Sequence, residues 1–264
     1  MARSTDGTAY DLTGPEGAPV VVLIHGIGLD RHSVWGPVAR WLAGQFRVLS
    51  YDLPGHGESA PMAGEVTLTT LSNHLISLMD ELGISEASLV GFSIGGMINR
   101  RLTLDHPARV SALVILNSPH ERGTGMQAQV EAQARASVSG AEATMQTTLE
   151  RWFTPEYRFD NKALVGEVRA IAMATHAPSF VAHRIVLADG IKELIRPDPP
   201  IVKPTLVMTC ENDRRSTPAM SRAIADEIIG AELEIMPGLQ HLGLVERPML
   251  FARRIEVFLE KVLE

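Results

Sequence analysis

One serine of this sequence lies in a glycine-rich turn that would suit a nucleophile. The segment Gly91-Phe92-Ser93-Ile94-Gly95-Gly96 follows a short apolar strand pattern and precedes a helical pattern. A serine at such a turn has a strained backbone, and the residues two positions away must be small to avoid a clash. The helix that follows directs its first N–H groups toward the serine and stabilises negative charge there. We interpret Ser93 as a candidate nucleophile, the alternative being a structural turn with a capping serine.

Two later residues could activate such a serine, which needs a base and an acid that orients the base. A late strand pattern ends just before Asp213, and the loop after the next strand contains His241, the only histidine that follows Asp213. Loops at the carboxyl ends of parallel strands are where such sheets build their sites. We predict Asp213 as the acid and His241 as the base. Glu211, in the same loop, is the alternative acid.

The elements that must position these residues alternate between strand and helix. The strand patterns cover residues 20–25, 46–51, 87–92, 110–116, 205–209 and 232–236. The helical patterns between and after them cover residues 33–45, 67–82, 94–106, 218–229 and 248–263. Short buried strands separated by helices predict an α/β fold with a mostly parallel, doubly wound sheet and helices on both faces.

The middle of the chain does not alternate between strand and helix patterns. Residues 119–200 contain no convincing strand pattern, whereas residues 126–153, 161–175 and 179–194 have helical spacing. We therefore predict a core made of residues 1–118 and 201–264, interrupted after the fourth strand by an all-helical insertion, residues 119–200.

Composition excludes several classes of function. The chain has 264 residues, of which 45% are hydrophobic, and a net charge of −7, so a sizeable core is possible and nucleic acid is a poor partner. The single Cys210 cannot form an internal disulfide, the apolar runs are too short to span a membrane, and residues 1–19 contain no recognisable secretory signal. We expect a cytoplasmic protein with no membrane partner. Nine histidines are present, but without an H-E-x-x-H motif or a cysteine pair we expect no metal site.

Four blocks make the sequence resemble the α/β-hydrolase family over nearly its whole length. They are His25-Gly26-Ile27-Gly28, Asp52-Leu53-Pro54-Gly55-His56-Gly57-Glu58-Ser59, Gly91 to Gly96, and Gln240-His241. The resemblance implies an eight-stranded sheet with short antiparallel strands near residues 8–12. It also implies an oxyanion hole made by the backbone N–H groups of Ile27 and Ile94, loop-holding roles for His25 and His56, and no cofactor.

The helical insertion resembles the cap, or lid, that such enzymes place over the site. A cap binds the part of the substrate that does not react and excludes water. The predicted pocket residues are His120, Trp152, Phe153, His176 and Phe180, although apolar residues at helical spacing also suit the interior of the cap. Arg122 and Arg184 are candidates for binding a substrate carboxylate, the alternative being solvated side chains.

Within the family, the sequence is most similar to the 3-oxoadipate enol-lactonase-like group and its small carboxylesterase relatives. The cues are the compact amino-terminal region, Met97-Ile98 after the glycine-rich turn, and the modest insertion. This implies a serine hydrolase that cleaves a carboxylic ester or lactone of a small, partly apolar acid through an acyl-serine intermediate. A C–C bond hydrolase or a cofactor-free perhydrolase would use the same residues. A ligand-binding, receptor-like protein on this scaffold also stays open, and no oligomeric state is predicted.

Overall fold

The sheet determines where the candidate residues can meet. The structure is a computed structural model that describes residues 2–135 and 142–263, and of residues 142–144 it describes only the backbone. The strands of the described residues are β1 (Ala2–Arg3), β2 (Ala9–Thr13), β3 (Val20–Ile24), β4 (Arg47–Tyr51), β5 (Ala87–Phe92), β6 (Val110–Leu116), β7 (Thr205–Cys210) and β8 (Glu232–Met236). They form one eight-stranded sheet in the order β1-β2-β4-β3-β5-β6-β7-β8.

The strand directions divide this sheet into two parts. β1 pairs with β2, and β2 with β4, in antiparallel fashion, while every other pairing in the sheet is parallel. The chain runs from β3 outward to β4 on one side and returns to β5 on the other. Loops at such a reversal point border a crevice at the carboxyl ends of the strands, where α/β sheets place ligands.

Helices cover both faces of the sheet. The helices of the described residues are α1 (Arg31–Leu42), α2 (Leu68–Glu81), α3 (Gly95–Asp105), α4 (Thr124–Arg135), α5 (Glu142–Trp152), α6 (Pro155–Asp160), α7 (Lys162–Ala174), α8 (Ala177–Asp189), α9 (Pro218–Asp226), α10 (Gly243–Glu246) and α11 (Pro248–Leu263). Single 3-10 turns follow α3 and α8, at Pro107–Arg109 and Gly190–Leu194.

The two faces have separate apolar cores, and the parallel strands supply both. In β3, Val21 and Leu23 pack in one core with residues of α1 and α11, whereas Val22 and Ile24 pack in the other with residues of α2 and α3. Successive strand residues point to opposite faces, so a strand that is covered on both sides must be apolar throughout. This explains why β3 reads as a continuous apolar run rather than as an alternating one.

The α/β fold predicted from the sequence is confirmed, with differences in detail. Strands β5, β6 and β8 and helix α11 begin and end at the predicted residues. Helices α4 to α8 lie between β6 and β7, and α4 packs against α8. The predicted helix 126–153 corresponds to α4 and α5, and its residues 136–141 lie outside the described residues. Helices α6 and α10 were not predicted, because each has too few turns to show an apolar repeat.

Candidate active site

Ser93 occupies a sharp turn between β5 and α3. Its φ of 57° lies in the left-handed region, which is strained for a residue with a side chain. A Cβ on Gly91 would lie 2.2 Å from the carbonyl oxygen of Gly95, and a Cβ on Gly95 would lie 2.2 Å from that of Ile24. Both glycines are therefore required by close backbone contacts, as the spacing in the sequence predicts. The turn leaves the Ser93 side chain half-buried at the carboxyl edge of the sheet.

Two backbone N–H groups beside Ser93 have no acceptor within the described protein. They belong to Ile27, in the loop after β3, and to Ile94, which precedes the first residue of α3. Ile94 is buried and Ile27 half-buried, and both N–H groups are free to donate to a bound group. They are the donors that the resemblance implies for an oxyanion hole.

His25 holds the loop that carries Ile27. Its Nε2 accepts a hydrogen bond from the backbone N–H of Leu53 (2.9 Å), which leaves Nδ1 to donate to the carbonyl of Gly26 (2.8 Å). Burial lowers the pKa of His25, so the ring remains neutral and keeps this pattern of one acceptor and one donor. His25 thus ties the loop after β3 to the loop after β4.

Asp213 and His241 are in direct contact. His241 Nδ1 lies 2.6 Å from Asp213 Oδ2, and the same oxygen accepts from Asn117 Nδ2 at 2.9 Å. Asp213 Oδ1 accepts from the backbone N–H groups of Arg215 (2.9 Å) and Ser216 (3.0 Å). Burial alone would raise the pKa of Asp213, but the charge of His241 and these hydrogen bonds outweigh burial and lower it. An ionised Asp213 fixes the proton of His241 on Nδ1 and leaves Nε2 able to accept a proton.

Asn117 is a residue that the sequence analysis missed. It follows β6 directly, is fully buried and has a φ of 45°. Its contact with Asp213 makes it a third partner of the predicted acid–base pair. A polar residue at the carboxyl end of a parallel strand was the available signal, and it was overlooked because asparagine does not itself transfer protons.

The loop that carries His241 is held by the end of α5. The backbone N–H of Leu242 donates to the carbonyl of Trp152 (2.8 Å). The side-chain amide of Gln240, with its nitrogen turned toward α5, donates to the carbonyls of Phe153 (2.6 Å) and Glu150 (2.8 Å). Carbonyls in the last turn of a helix have no partner within the helix, so these contacts satisfy them while they fix the loop.

His241 lies beside the turn that carries Ser93. The ring centroid of His241 is 5.0 Å from that of Phe92, the residue before Ser93. Among the hydrogen bonds of the described residues, none joins Ser93 to His241. Such contacts are often long in unliganded enzymes and tighten when substrate binds. The structure therefore places His241 beside the turn of Ser93 and shows no hydrogen bond between the two side chains.

Glu211, the alternative acid, and Cys210 are placed differently from the Asp213–His241 pair. Glu211 is exposed, and its carboxylate accepts from the backbone N–H of Gly238 (2.8 Å). Cys210 is buried at the end of β7, and burial raises the pKa of its thiol to about 12. A thiol with so high a pKa is not a nucleophile at neutral pH.

The predicted pocket residues are distributed around the site. Phe180 borders the loop after β3, since a Cβ on Gly28 would lie 3.1 Å from its ring. Phe153 is fully buried and stacks on Tyr157, with 5.5 Å between ring centroids. These contacts place Phe180 against Gly28 in the loop after β3, and Phe153 in the apolar core on the α1 and α11 face of the sheet.

The remaining three have polar or backbone partners. Trp152 is half-buried above the His241 loop, as described. His176 is exposed, and its Nδ1 lies 2.8 Å from Ser179 Oγ. His120 is buried, with Nε2 3.0 Å from Glu227 Oε1. The pocket role assigned to these five residues stays a prediction.

The described residues offer neither a metal site nor a membrane-spanning helix. Among the described residues, no group of three or more His, Cys, Asp or Glu side chains is arranged to hold a metal ion. None of the helices described here has both the length and the apolar character needed to cross a bilayer.

The chain is similar in sequence and in structure to known hydrolases. The profile of the alpha/beta hydrolase family matches residues 21–254. The chain is 25% identical to 3-oxoadipate enol-lactonase 2 of Acinetobacter baylyi, over 96% of this chain and 92% of that protein. The enol-lactonase from Burkholderia xenovorans LB400 superposes with a TM-score of 0.86 at 28% identity, with 96% of each chain covered. A hydrolase from Pseudomonas aeruginosa PA01 gives a TM-score of 0.87 at 30% identity, over 98% of this chain and 97% of that one. Hydrolase activity is thus common to these relatives, and the chain belongs to the alpha/beta hydrolase family.

Proposed function

We propose that this protein is a serine hydrolase that cleaves a carboxylic ester or a lactone of a small, partly apolar acid. Ser93 is the nucleophile, His241 the general base and Asp213 the acid that orients it. The observation that carries the proposal is the 2.6 Å contact between His241 Nδ1 and Asp213, made beside a serine whose φ is 57°. The enol-lactonases among the relatives support an ester or lactone bond as the target.

The first half of the reaction acylates the serine. His241 Nε2 takes the proton from Ser93 Oγ as that oxygen attacks the carbonyl carbon of the substrate. The carbonyl oxygen becomes an oxyanion and accepts hydrogen bonds from the N–H groups of Ile27 and Ile94. Each such donor lowers the barrier by about 3–4 kcal/mol in comparable sites. The imidazolium, stabilised by Asp213, then protonates the leaving oxygen, the C–O bond breaks, and an acyl-Ser93 ester remains.

The second half returns the enzyme to its starting state. A water molecule gives a proton to His241 Nε2 and attacks the acyl carbon, and the same two N–H groups stabilise the second oxyanion. His241 then returns the proton to Ser93 Oγ, and the acid is released. A lactone opens by the same steps, with its leaving oxygen tethered to the acyl group.

The helical insertion, residues 119–200, is proposed to act as the cap of this site. Its support comes from two contacts: Phe180 lies over the loop that carries Ile27, and the end of α5 holds the loop that carries His241. A cap in this position would exclude water while the acyl-enzyme forms and would bind the non-reacting part of the substrate.

Labelling with a fluorophosphonate probe, followed by intact-mass measurement, tests the proposal. Wild-type protein should gain one adduct and turn over p-nitrophenyl esters or simple lactones. Ser93→Ala should gain none and lose at least about a thousandfold in kcat/KM. Ser85→Ala, a change at an exposed serine of the loop before β5, should label and react like wild type.

Three outcomes would favour the other functions. Folded protein that neither labels nor reacts would contradict the proposal and favour a ligand-binding role. Labelling of Ser93 without ester or lactone turnover would favour C–C bond hydrolysis. If Ser93 is labelled and the protein forms a peracid from peroxide faster than it hydrolyses esters or lactones, a perhydrolase would be favoured.

A further inference from the structure

Four arginines from four separate segments border the predicted site. We call them the arginine cluster: Arg122, Arg151, Arg184 and Arg215. Arg215 is two residues beyond Asp213, and its backbone N–H donates to that carboxylate at 2.9 Å. Arg151 precedes Trp152, whose carbonyl receives the N–H of the residue after His241. These two arginines are therefore anchored to the loops of the predicted acid and the predicted base.

The other two arginines lie on the insertion. The guanidinium carbon of Arg184 is 5.9 Å from the ring centroid of Phe180, which borders the loop of Ile27. Arg122 Nη1 donates to Gln127 Oε1 (3.2 Å), and Gln127 Nε2 donates to the carbonyl of Ala188, one turn beyond Arg184 on α8. Arg122 and Arg184 are thus connected through Gln127 and α8, on the segment after β6 and on the insertion.

No carboxylate balances these charges. Among the side chains that the structure describes, no Asp or Glu lies within ion-pair distance of any of the four. Carboxylates are not scarce, because the chain has 31 Asp and Glu residues against 24 Lys and Arg. Arginines elsewhere do have acidic partners: Arg31, Arg101, Arg109, Arg135, Arg196 and Arg254.

The members of the cluster also repel one another. Burial, together with the charge of Arg215, lowers the pKa of Arg122 and of Arg184. Burial and the charges of Arg215 and Arg184 lower the pKa of Arg151. Arg122, Arg151 and Arg184 are half-buried, whereas Arg215 is exposed. Arg122 donates to Gln127 and Arg151 Nη2 donates to Thr148 Oγ1 (3.0 Å), but these neutral partners do not balance the positive charges. A bound anion would offset the cost of holding such charges half-buried. Charge arrangements that work against stability are a feature of binding sites.

We propose that the arginine cluster binds a group with at least two negative charges on the non-reacting part of the substrate. The group is a polycarboxylate or a phosphate-type oxyanion, since the planar guanidinium binds both in a bidentate manner. A single carboxylate would balance only one of the four charges. The proposal rests on the proposed hydrolysis at Ser93 and names the class of substrate for that site.

A matched series of p-nitrophenyl esters tests the proposal. The acyl groups are pentanoyl, which is neutral, glutaryl, with one free carboxylate, tricarballyl, with two, and 4-phosphonobutanoyl. We expect kcat/KM to rise by about tenfold or more from the neutral ester to an ester with two charges, because hydrogen bonds between ions are the strong ones. The tricarballyl and phosphonobutanoyl esters distinguish the carboxylate source from the phosphate-type source.

Substitutions in the arginine cluster test whether these side chains cause the preference for anionic esters. The readout is the ratio of kcat/KM for the preferred dianionic ester to that for the neutral ester. Arg184→Gln and Arg215→Gln should each reduce this ratio by about tenfold. Arg169→Gln, at an exposed arginine of α7 outside the cluster, should leave the ratio unchanged. Equal ratios for wild type and both cluster variants would overturn the proposal, as would a neutral ester that is the best substrate.

A binding measurement separates this proposal from the proposed function. Ser93→Ala is titrated calorimetrically with tricarballylate and with 4-phosphonobutyrate, and we expect one of them to bind at least tenfold more weakly when Arg184→Gln is added. Absence of binding for both anions, with normal fluorophosphonate labelling of wild type, would overturn the anion site and leave the serine hydrolase standing. Binding that depends on Arg184 in a protein that does not label would overturn the proposed hydrolysis and leave the anion site standing.

Discussion

His183 should make the fold sensitive to acid. The residue lies on α8 and is fully buried; its Nδ1 contacts the carbonyl of Ser179 (2.8 Å), and its Nε2 has no partner in the described structure. Its ring centroid is 4.7 Å from that of His56, which in turn is 5.6 Å from that of His25. Burial lowers the pKa of His183 to about 4. The folded protein therefore holds this ring neutral at pH values where an unfolded chain protonates it.

The size of the effect follows from the two pKa values. The unfolded pKa is 6.5 and the folded pKa about 4, so the unfolded state binds the extra proton between these values. The contribution of the neutral His183 to the free energy of unfolding is therefore fully present above pH 6.5, and it is lost as the pH drops toward 4. At about 1.4 kcal/mol for each pH unit, His183 accounts for a loss of roughly 3 kcal/mol.

Urea unfolding at several pH values between 7 and 4 measures this loss. His183→Gln removes the titrating ring and keeps a donor for the carbonyl of Ser179, so its free energy of unfolding should fall by roughly 3 kcal/mol less than that of wild type over this range. His32→Gln, at a side chain that is 63% exposed, should follow wild type, because water solvates a charge at that position. Equal losses for His183→Gln and wild type would refute the assignment of a buried neutral His183.

Two other substitutions probe how the site is positioned. Asn117→Ala removes one hydrogen bond to Asp213, and we expect kcat for a p-nitrophenyl ester to fall by about tenfold with little change in KM. The acidic limb of the pH–rate profile should also shift, and an unchanged profile would mean that Asn117 has only a structural role. Gly95→Ala places a Cβ 2.2 Å from the carbonyl oxygen of Ile24 and should destabilise the fold by about 3 kcal/mol or more in chemical denaturation. Gly166→Ala, in α7 with nothing within 4 Å of the added Cβ, should instead stabilise it by up to about 1 kcal/mol, and similar effects at both glycines would contradict the close-contact argument.

The elements that the sequence specifies well are those with a strong local signal. β5, Ser93 and the start of α3 are predictable together, because an apolar strand, two closely spaced glycines and a helical repeat leave one arrangement of the turn. Asp213 and His241 follow from the rule that sites form at the carboxyl ends of parallel strands. The family resemblance supplies Ile27 and Ile94, since the position of a backbone N–H cannot be inferred from side-chain types.

The parts that escaped prediction depend on contacts between distant segments. Asn117 is 96 positions from Asp213 in the sequence, and only the pairing of β6 with β7 makes them neighbours. The sequence alone does not indicate that Arg151 lies near the loop of His241, because that depends on the contact between the end of α5 and this loop. A local pattern contains no information about which charges will lack a partner.

Trapping of the acyl-enzyme tests whether Ser93 is the nucleophile. Wild-type protein is mixed with p-nitrophenyl butyrate, quenched in acid within the first turnovers, digested and analysed by mass spectrometry. We expect a butyryl group on the peptide that contains Ser93, and no butyryl adduct in Ser93→Ala. Hydrolysis of the ester without acylation of that peptide would contradict the role of Ser93 as nucleophile. So would hydrolysis by Ser93→Ala at the wild-type rate.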